Sequence, residues 1–525
     1  MRPARTVTAL VTLLAAALTL APTASASPAP ATATSVRDVI TDPDGTRHTR
    51  YDTTYGQLPV LGGDFVVHRA ADGTYEGTDR ASSADVSVPT TTPRLSAPKA
   101  ADLAATLLRE ANPGTLLSGL TAKPRLVVDA LHGAPKLAWR TTATAKDQLG
   151  NPTARTVLTD ATTGARIDAW NTLETASAST STASTSTGDG KSLYSGTVPL
   201  TTSRTSSGGH QLSDPTRGNT YTGDAGNKTD SCILVLCLER APAKVYTDAD
   251  NHWGTGRAAD RSTAAVDAQY GTDQTWDYYK DVHGRNGIAD DGKGSYNRVH
   301  YGKKYNNAFW DDNCFCMTYG DGDGKTLGPL VALDVTAHEM SHGVTSSTAA
   351  LTYSGESGGL NEATSDIFGT LVEFHARGAS DPGDWLIGEK IARPGLKQKA
   401  LRYMDKPSRD GKSANCWDPN VGSLDVHYSS GVANHFAYLL AEGSGAKTIG
   451  GVRQDSPTCN GSRLTGIGKA ALGKIWYRAL TVYMTSSTDY KGARTATLKA
   501  AKDLYGADGK EYAAVAAAWS AVSVT

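Results

Sequence analysis

Two histidines stand four residues apart in TAHEMSHGVT (336–345), with a glutamate beside the first. On an α-helix, residues at that spacing share a face. His338 and His342 can therefore aim two imidazoles at one point, while Glu339 lies next to the first ring, placed to reach a water at that point without binding it. A catalytic zinc takes three protein ligands and keeps one position open. The segment GGLNEATSDIFGT (358–370) reads as a second helix that supplies the third, Glu362, twenty positions after His342. Asp366, one turn further on, is a natural acceptor for the outer N–H of a ligand histidine. Asn361 is assigned the same supporting part. A solvated acidic face would not sit among such small and apolar neighbours. In a chain with 12 histidines the five-residue pattern alone is only moderately specific, and the second helix is what turns it into a Zn2+ site. This feature demands a second helix whose carboxylate reaches the two imidazoles.

A chain of 525 residues is too long for one compact core, so several domains are expected. Its formal net charge of −1 provides no overall attraction to nucleic acid or to an anionic membrane, and neither is expected as a partner. Arg2 and Arg5 precede an apolar run from Val7 to about Leu20, followed by small residues at Ala24 and Ala26. That is the layout of a secretory signal over residues 1–26, and the run is short for a spanning helix. A secreted, extracellular protein is expected. Cys232, Cys237, Cys314, Cys316, Cys416 and Cys459 make an even count, which in an exported chain points to disulfides, with the pairing open.

Between Ser27 and about Trp170, runs such as QLPVLGGDFVVHRAADGTY, RLVVDAL and ARTVLTDATTGARIDAW read as short strands and turns, and KAADLAATLLREA has helical spacing. This makes a plausible α+β domain without a catalytic cluster. The Ser/Thr/Ala run LETASASTSTASTSTGDGKS follows and reads as a flexible linker, or as a processing site between a pro-region and a mature enzyme. Beyond about Lys191 the chain has β and turn character, and from Leu330 it turns helical. In LGKIWYRALTVY, Leu472, Ile475, Trp476, Ala479, Leu480 and Tyr483 follow the pattern of a buried helical face.

The HEMSH segment and NEATSDIFGTLVEF, with YNNAFWDD, YGDGDGKT, ALDVTAHEMSH, IGEKI, LRYMDKPS and DVHYSSGVANHFAYLL in order, resemble the thermolysin (bacillolysin) family of neutral metalloendopeptidases. The likeness runs from about Ser192 to the end of the chain, and the region before the linker resembles that family's inhibitory, chaperone-like propeptide. It implies an α+β propeptide over residues 27–187, a β-rich lobe over 188–335 and an α-helical lobe over 336–525, with the zinc site in the cleft between the lobes. The implied activity is hydrolysis of internal peptide bonds by a self-processing zymogen, acting as a monomer on peptide and protein substrates, with its own propeptide as inhibitor.

By the same resemblance Glu339 is the general base, and His427 and Tyr353 hold the tetrahedral oxyanion. Arg402 grips a substrate carbonyl. Asn307 and Ala308 bind substrate backbone along a strand edge. Leu330, Val335, Ile387 and Leu401 line a pocket for a bulky apolar residue after the cut bond. Asp334, Glu373, Asp384 and Glu389 match acidic positions of a paired Ca2+ site. Leu386 stands where the family commonly has another glutamate, so one or two ions are implied. The family often has an aspartate five residues before the catalytic histidine. Gly422 stands there instead, with Asp425 nearby as a substitute. An aminopeptidase would carry a GxMEN-type motif, which is absent. A binding protein on a retired scaffold would not need intact Glu339 and His427. An independent adhesive module over the first 170 residues is the third alternative, separable by sequencing the amino terminus of the secreted product.

Overall fold

The computed structural model describes residues 31–113, 115–148, 152–171, 184–233, 236–239, 241, 243–312 and 314–525. The signal segment, the expected cut after Ala26 and the Ser/Thr run over 172–183 lie outside the described residues. The amino-terminal domain is built on one sheet of β1 (Thr32–Thr41), β2 (Arg47–Tyr55), β3 (Leu58–Leu61), β4 (Phe65–Arg69), β5 (Tyr75–Arg80), β6 (Ser118–Asp129), β7 (Lys136–Lys146), β8 (Pro152–Asp160) and β9 (Arg166–Asn171). Its order is β5-β4-β2-β3-β6-β7-β8-β9, with β1 also on β2. All neighbours run antiparallel except β3 and β6, where Val60 sits opposite Val128. Helix α1 (Ala97–Glu110) starts at Ser96, whose hydroxyl accepts from the Lys99 N–H. Its buried face, Ala100, Ala104 and Leu108, repeats every fourth residue. Ala104 and Leu108 meet Ala143, Ala145 and Val157 of the sheet.

The carboxy-terminal part has two lobes that share one continuous core. In the first, Thr185–Lys191 pairs with Thr197–Arg204 as a regular strand. This corrects the linker reading over its last residues. Gly188 and Gly190 act there as packing residues, because a Cβ on the first would meet Asn251 and on the second Val266, at 2.4 and 2.5 Å. A second sheet ends on the edge strand Ala308–Asp311, antiparallel to Cys316–Tyr319.

The β and turn character expected of this lobe is also incomplete, since helix α2 (Arg261–His283) runs through it for 23 residues. It is buried on most of its circumference, so it has no simple apolar stripe. Its polar side chains are satisfied internally: Gln269 donates to Asp273 at 2.9 Å, and Thr272 donates to Asn297 at 3.0 Å. The helical lobe holds α3 (Leu333–Ser347), α4 (Gly355–Ala376), α5 (Val426–Ser429), α6 (Gly431–Glu442), α7 (Lys469–Arg478), α8 (Tyr490–Tyr505) and α9 (Lys510–Ala521). The apolar face expected over 472–483 is buried at Leu472, Ile475, Trp476, Ala479 and Leu480. There α7 widens into a π-helical turn at Ala479–Tyr483.

Two bridges are present among the described residues, Cys314–Cys316 and Cys416–Cys459. The backbones of Cys232 and Cys237 face each other across a short hairpin. No helix among the described residues is long and apolar enough to cross a membrane.

Candidate active site

Helices α3 and α4 cross where α4 carries Gly369. A Cβ there would come within 2.7 Å of the Asp334 carbonyl oxygen, so only glycine permits this approach. One turn apart on α3, His338 Nε2 and His342 Nε2 lie 3.1 Å from each other, and the crossing brings α4 against them. The Glu362 carboxylate lies opposite, with Oε2 3.6 Å from the first nitrogen and Oε1 3.4 Å from the second. Asp366 Oδ1 is 2.8 Å from His338 Nδ1, and Asn361 Oδ1 is 2.8 Å from His342 Nδ1. Both acceptors draw the ring protons to Nδ1 and leave the two Nε2 lone pairs converging. Glu362 Oε2 is buried with no hydrogen-bond partner. Two imidazole nitrogens, one orphaned carboxylate oxygen and fixed tautomers fit a Zn2+ ion.

Glu339 stays beside this point, with a carboxylate oxygen within 4.8 Å of both histidines' ring nitrogens. Burial, backed by the Glu362 charge and opposed by His338, pushes its carboxyl up to about 7. Burial also acts on Glu362, but His427, His338, His342 and Arg402 outweigh it and hold that carboxyl at about 2. Two carboxyl groups side by side are thus driven apart in acidity.

Across the cleft, the Tyr353 hydroxyl donates to Glu362 Oε1 and lies 3.3 Å from His427 Nε2. His427 is at the rim, with its side chain 48% exposed. Asp425 Oδ1 sits 2.7 Å from its Nδ1 and accepts from its backbone N–H, capping α5. Arg402 Nε and Nη2 fork onto Asp366 at 2.7 and 2.6 Å, and Asn434 adds a third donor at 2.7 Å. Despite burial, Arg402 and His338 hold the Asp366 carboxyl far below the usual range. Arg402 Nη1 is outside that fork.

His338, Glu339, His342, Tyr353, Glu362, Arg402 and His427 open on one cavity of about 410 Å³. Asn307, Ala308, Leu330, Val335, Ile387 and Leu401 line it too, so the structure brings the six expected substrate-side residues to the same cleft. Pro152, Thr153 and Ala154 at the start of β8 also line the cavity. Nearby, the Ser354 hydroxyl donates to the Asp168 carboxylate, tying the amino-terminal sheet to the residue after Tyr353.

The expected Ca2+ carboxylates gather behind α3. Oxygens of Asp334, Glu373 and Glu389 lie within 4.8 Å of one another, with Asp384 adjoining through its N–H to Glu373 at 3.1 Å. Glu373 Oε1, Glu389 Oε2 and Asp381 Oδ2 are buried without partners. Burial, then mutual repulsion, pushes Asp334 up to about 7, Asp384 to about 6 and Glu389 to about 10, and raises Glu373 as well. A hard dication satisfies such a donor set. Asp381, three residues before Asp384, was not among the expected ligands. Its Oδ1 is paired with Lys390 Nζ at 3.0 Å.

A histidine pair on one helix, a glutamate from the helix crossing it and an unligated acid alongside define a metallopeptidase. The chain belongs to the thermolysin family. The model of the thermolysin metallopeptidase catalytic domain matches residues 187–346, and that of the family's alpha-helical domain matches 349–524. A fungalysin/thermolysin propeptide motif matches 34–77. The chain is 49% identical over 491 residues to a transglutaminase-activating metalloprotease of Streptomyces mobaraensis, covering 93% of this chain and 60% of that one. It is 43% identical to bacillolysin of Bacillus cereus over 64% of this chain and 55% of that one. To thermolysin of Alicyclobacillus acidocaldarius subsp. acidocaldarius it is 40% identical over 70% of this chain and 63% of that one. The matches thus span between about half and two thirds of these relatives' lengths. The family implies a catalytic zinc.

Proposed function

We propose that the chain is a secreted zymogen of a zinc-dependent neutral endopeptidase that cuts internal peptide bonds before a bulky apolar residue. The observation carrying this reading is the convergence of His338 Nε2, His342 Nε2 and the orphaned Glu362 oxygen beside an unligated Glu339. His338, His342 and Glu362 would hold Zn2+, which when bound supplies Lewis acidity.

Glu339, with a carboxyl raised toward neutrality, takes the proton from the attacking water and passes it to the leaving nitrogen. His427 Nε2 and the Tyr353 hydroxyl donate to the oxygen that gains charge as the carbonyl becomes tetrahedral. Asp425 holds the ring of His427 with Nδ1–H toward the carboxylate. Arg402, anchored on Asp366, keeps Nη1 for a substrate carbonyl. Substrate backbone adds to the Asn307–Ala308 edge, and Leu330, Val335, Ile387 and Leu401 receive the apolar side chain. Residues 27–187 act as propeptide, supported by the motif over 34–77 and by Pro152–Ala154 at the cleft. One Ca2+, or two, sits among Asp334, Glu373, Asp384 and Glu389. The mature enzyme works as an extracellular monomer.

The test is cleavage of an internally quenched peptide by the purified mature form, with and without a zinc chelator. Glu339→Gln is expected to keep its zinc and lose hydrolysis and self-processing. Undiminished hydrolysis by that variant overturns the mechanism.

A further inference from the structure

Where β2 and β4 meet the helical lobe, two buried histidines face each other. His48 Nδ1 and His68 Nδ1 are 2.7 Å apart, so one must donate and the other accept. Asp79 decides which. Its carboxylate, 2.9 Å from His68 Nε2, can only accept, so His68 is protonated at Nε2 and presents a lone pair at Nδ1. His48 then donates from Nδ1, and its Nε2 accepts from Arg478 Nη2 at 3.2 Å. With both rings neutral, every atom in the series Arg478, His48, His68, Asp79 is satisfied.

The charged groups facing the pair come from both sides. Asp42 and Asp79 belong to the amino-terminal domain, and Arg478, Lys499 and Asp503 to the helical lobe. Arg478 forks onto Asp42 at 2.6 Å twice and reaches Asp503 at 3.0 Å. Lys499 Nζ meets the other Asp79 oxygen at 2.6 Å. The Tyr483 ring lies against both histidines, and its hydroxyl donates to Asp503. Around this cluster, Arg50 Nη2 donates to the Thr481 carbonyl at 3.1 Å, and the Ser486 N–H donates to Asp64 at 3.0 Å.

One extra proton has a place, on His48 Nε2, which is 3.2 Å from Asp42, at the expense of the Arg478 contact. A second has none, because two imidazolium rings would set N–H against N–H at 2.7 Å. Burial pushes the His48 imidazole below its ordinary 6.5. Asp42 pulls the other way, and Arg478 adds to the burial. His132, between Asp129 and Asp168 at 3.0 and 3.5 Å, is raised to about 9 by those carboxylates against burial and stays charged throughout.

We propose that the surface centred on Arg478 and Lys499 is the dock for the amino-terminal domain as propeptide, and that acid releases it through the His48–His68 pair. This rests on reading the residues before the linker as a propeptide. Undocked, the two rings are still cross-strand neighbours, but without Arg478 and the Tyr483 ring against them they can turn apart and take up a proton each, whereas the docked pair has room for one at most. The undocked form therefore binds at least one more, and docking weakens by about tenfold per pH unit below roughly 6. Above that range the neutral pair keeps its full contribution.

The experiment is hydrogen–deuterium exchange on the intact chain, kept uncut by Glu339→Gln and checked by mass, at pH 7.5 and pH 5.0. Protection factors in β2, in β4 and over 478–487 are expected to fall at least tenfold at the lower pH, while α3 and α4 keep theirs. The double variant His48→Gln/His68→Gln is expected to lose this pH dependence. Should it not fold, His68→Gln alone serves, since one ring leaves no pair. His132→Gln is expected to retain the dependence. Equal protection at both pH values, or a fall that persists without the histidine pair, overturns the proposal. The readout needs no catalysis, so a failed protease reading would show separately, as residual peptide cleavage by the Glu339→Gln chain.

Discussion

Asp425 Oδ1 lies 2.7 Å from His427 Nδ1 and also accepts the backbone N–H of His427 at 3.0 Å, so one oxygen both caps α5 and orients the ring. The position five residues before the histidine is Gly422, which has no side chain to do this. Asp425, two residues before the histidine, does what no side chain at position 422 can do here.

Two substitutions separate its tasks. Asp425→Ser can still cap the helix but is too short to hold Nδ1–H, whereas Asp425→Asn keeps an oxygen for both. Asp425→Ser is expected to lower kcat by roughly 10- to 100-fold with KM nearly unchanged, short of the roughly 100- to 1000-fold cost of deleting an oxyanion donor outright. Asp425→Asn is expected to recover most of the loss. Steady-state kinetics on a peptide substrate checks this, and equal activity of the Ser and Asn variants would sink the positioning role.

Gly369 offers a second test, on how the helix crossing holds the ligands. An added Cβ meets the Asp334 carbonyl at 2.7 Å, and backbone cannot step aside as a flexible side chain would. Gly369→Ala is expected to destabilise the protein by roughly 1–3 kcal/mol and to weaken zinc retention, because α3 and α4 carry its ligands between them. Calorimetry reads the first effect and metal analysis after dialysis reads the second.

How much of this was legible in the sequence depended on whether a feature is local. The helix over HEMSH follows from spacing four residues apart, and Glu362 and Asp366 from one turn of the next helix. The apolar face of α7 was equally readable. Helix α2 was not, because it is buried nearly all round and its Asp267, Gln269 and Thr272 find partners on other elements, which the sequence does not show. Thr185–Lys191 was hidden for the opposite reason: a Ser/Thr/Gly strand looks like linker until Asn251 and Val266 pack onto its glycines. His48 and His68 are cross-strand partners within one sheet, but the contact of His48 with Arg478 exists only after two domains meet.

The propeptide's hold on the cleft yields a third expectation. The Asp168 carboxylate accepts from the Ser354 hydroxyl and anchors the sheet beside Tyr353. Ser354→Ala removes that donor and leaves the carboxylate to His132 and the Ala169 N–H, with no partner across the domain boundary at this point. Self-processing is expected to run a few-fold faster, at about 1 kcal/mol of lost docking. The rate of appearance of the mature band on a gel measures it, and a rate equal to that of the unsubstituted chain would exclude a docking role for this contact.

The acidic cluster behind α3 makes a prediction whose sign can be worked out. Without an ion, Asp334 sits at about 7 and Glu389 at about 10, against ordinary values of 3.8 and 4.5. The folded, ion-free protein therefore binds more protons than the unfolded chain between those limits. Its stability must fall as pH rises, by about 1.4 kcal/mol per pH unit for each excess proton. Bound Ca2+ replaces those protons and removes the slope. With zinc kept in place and calcium withdrawn by a calcium-selective chelator, Tm is expected to drop steadily from pH 6 to pH 9. With millimolar Ca2+ it is expected to stay nearly level. Calcium binding near neutral pH must also release protons, which isothermal titration in buffers of different ionisation heat detects. A calcium-free Tm that rises with pH over this range would mean the carboxylates are not held together as the structure has them.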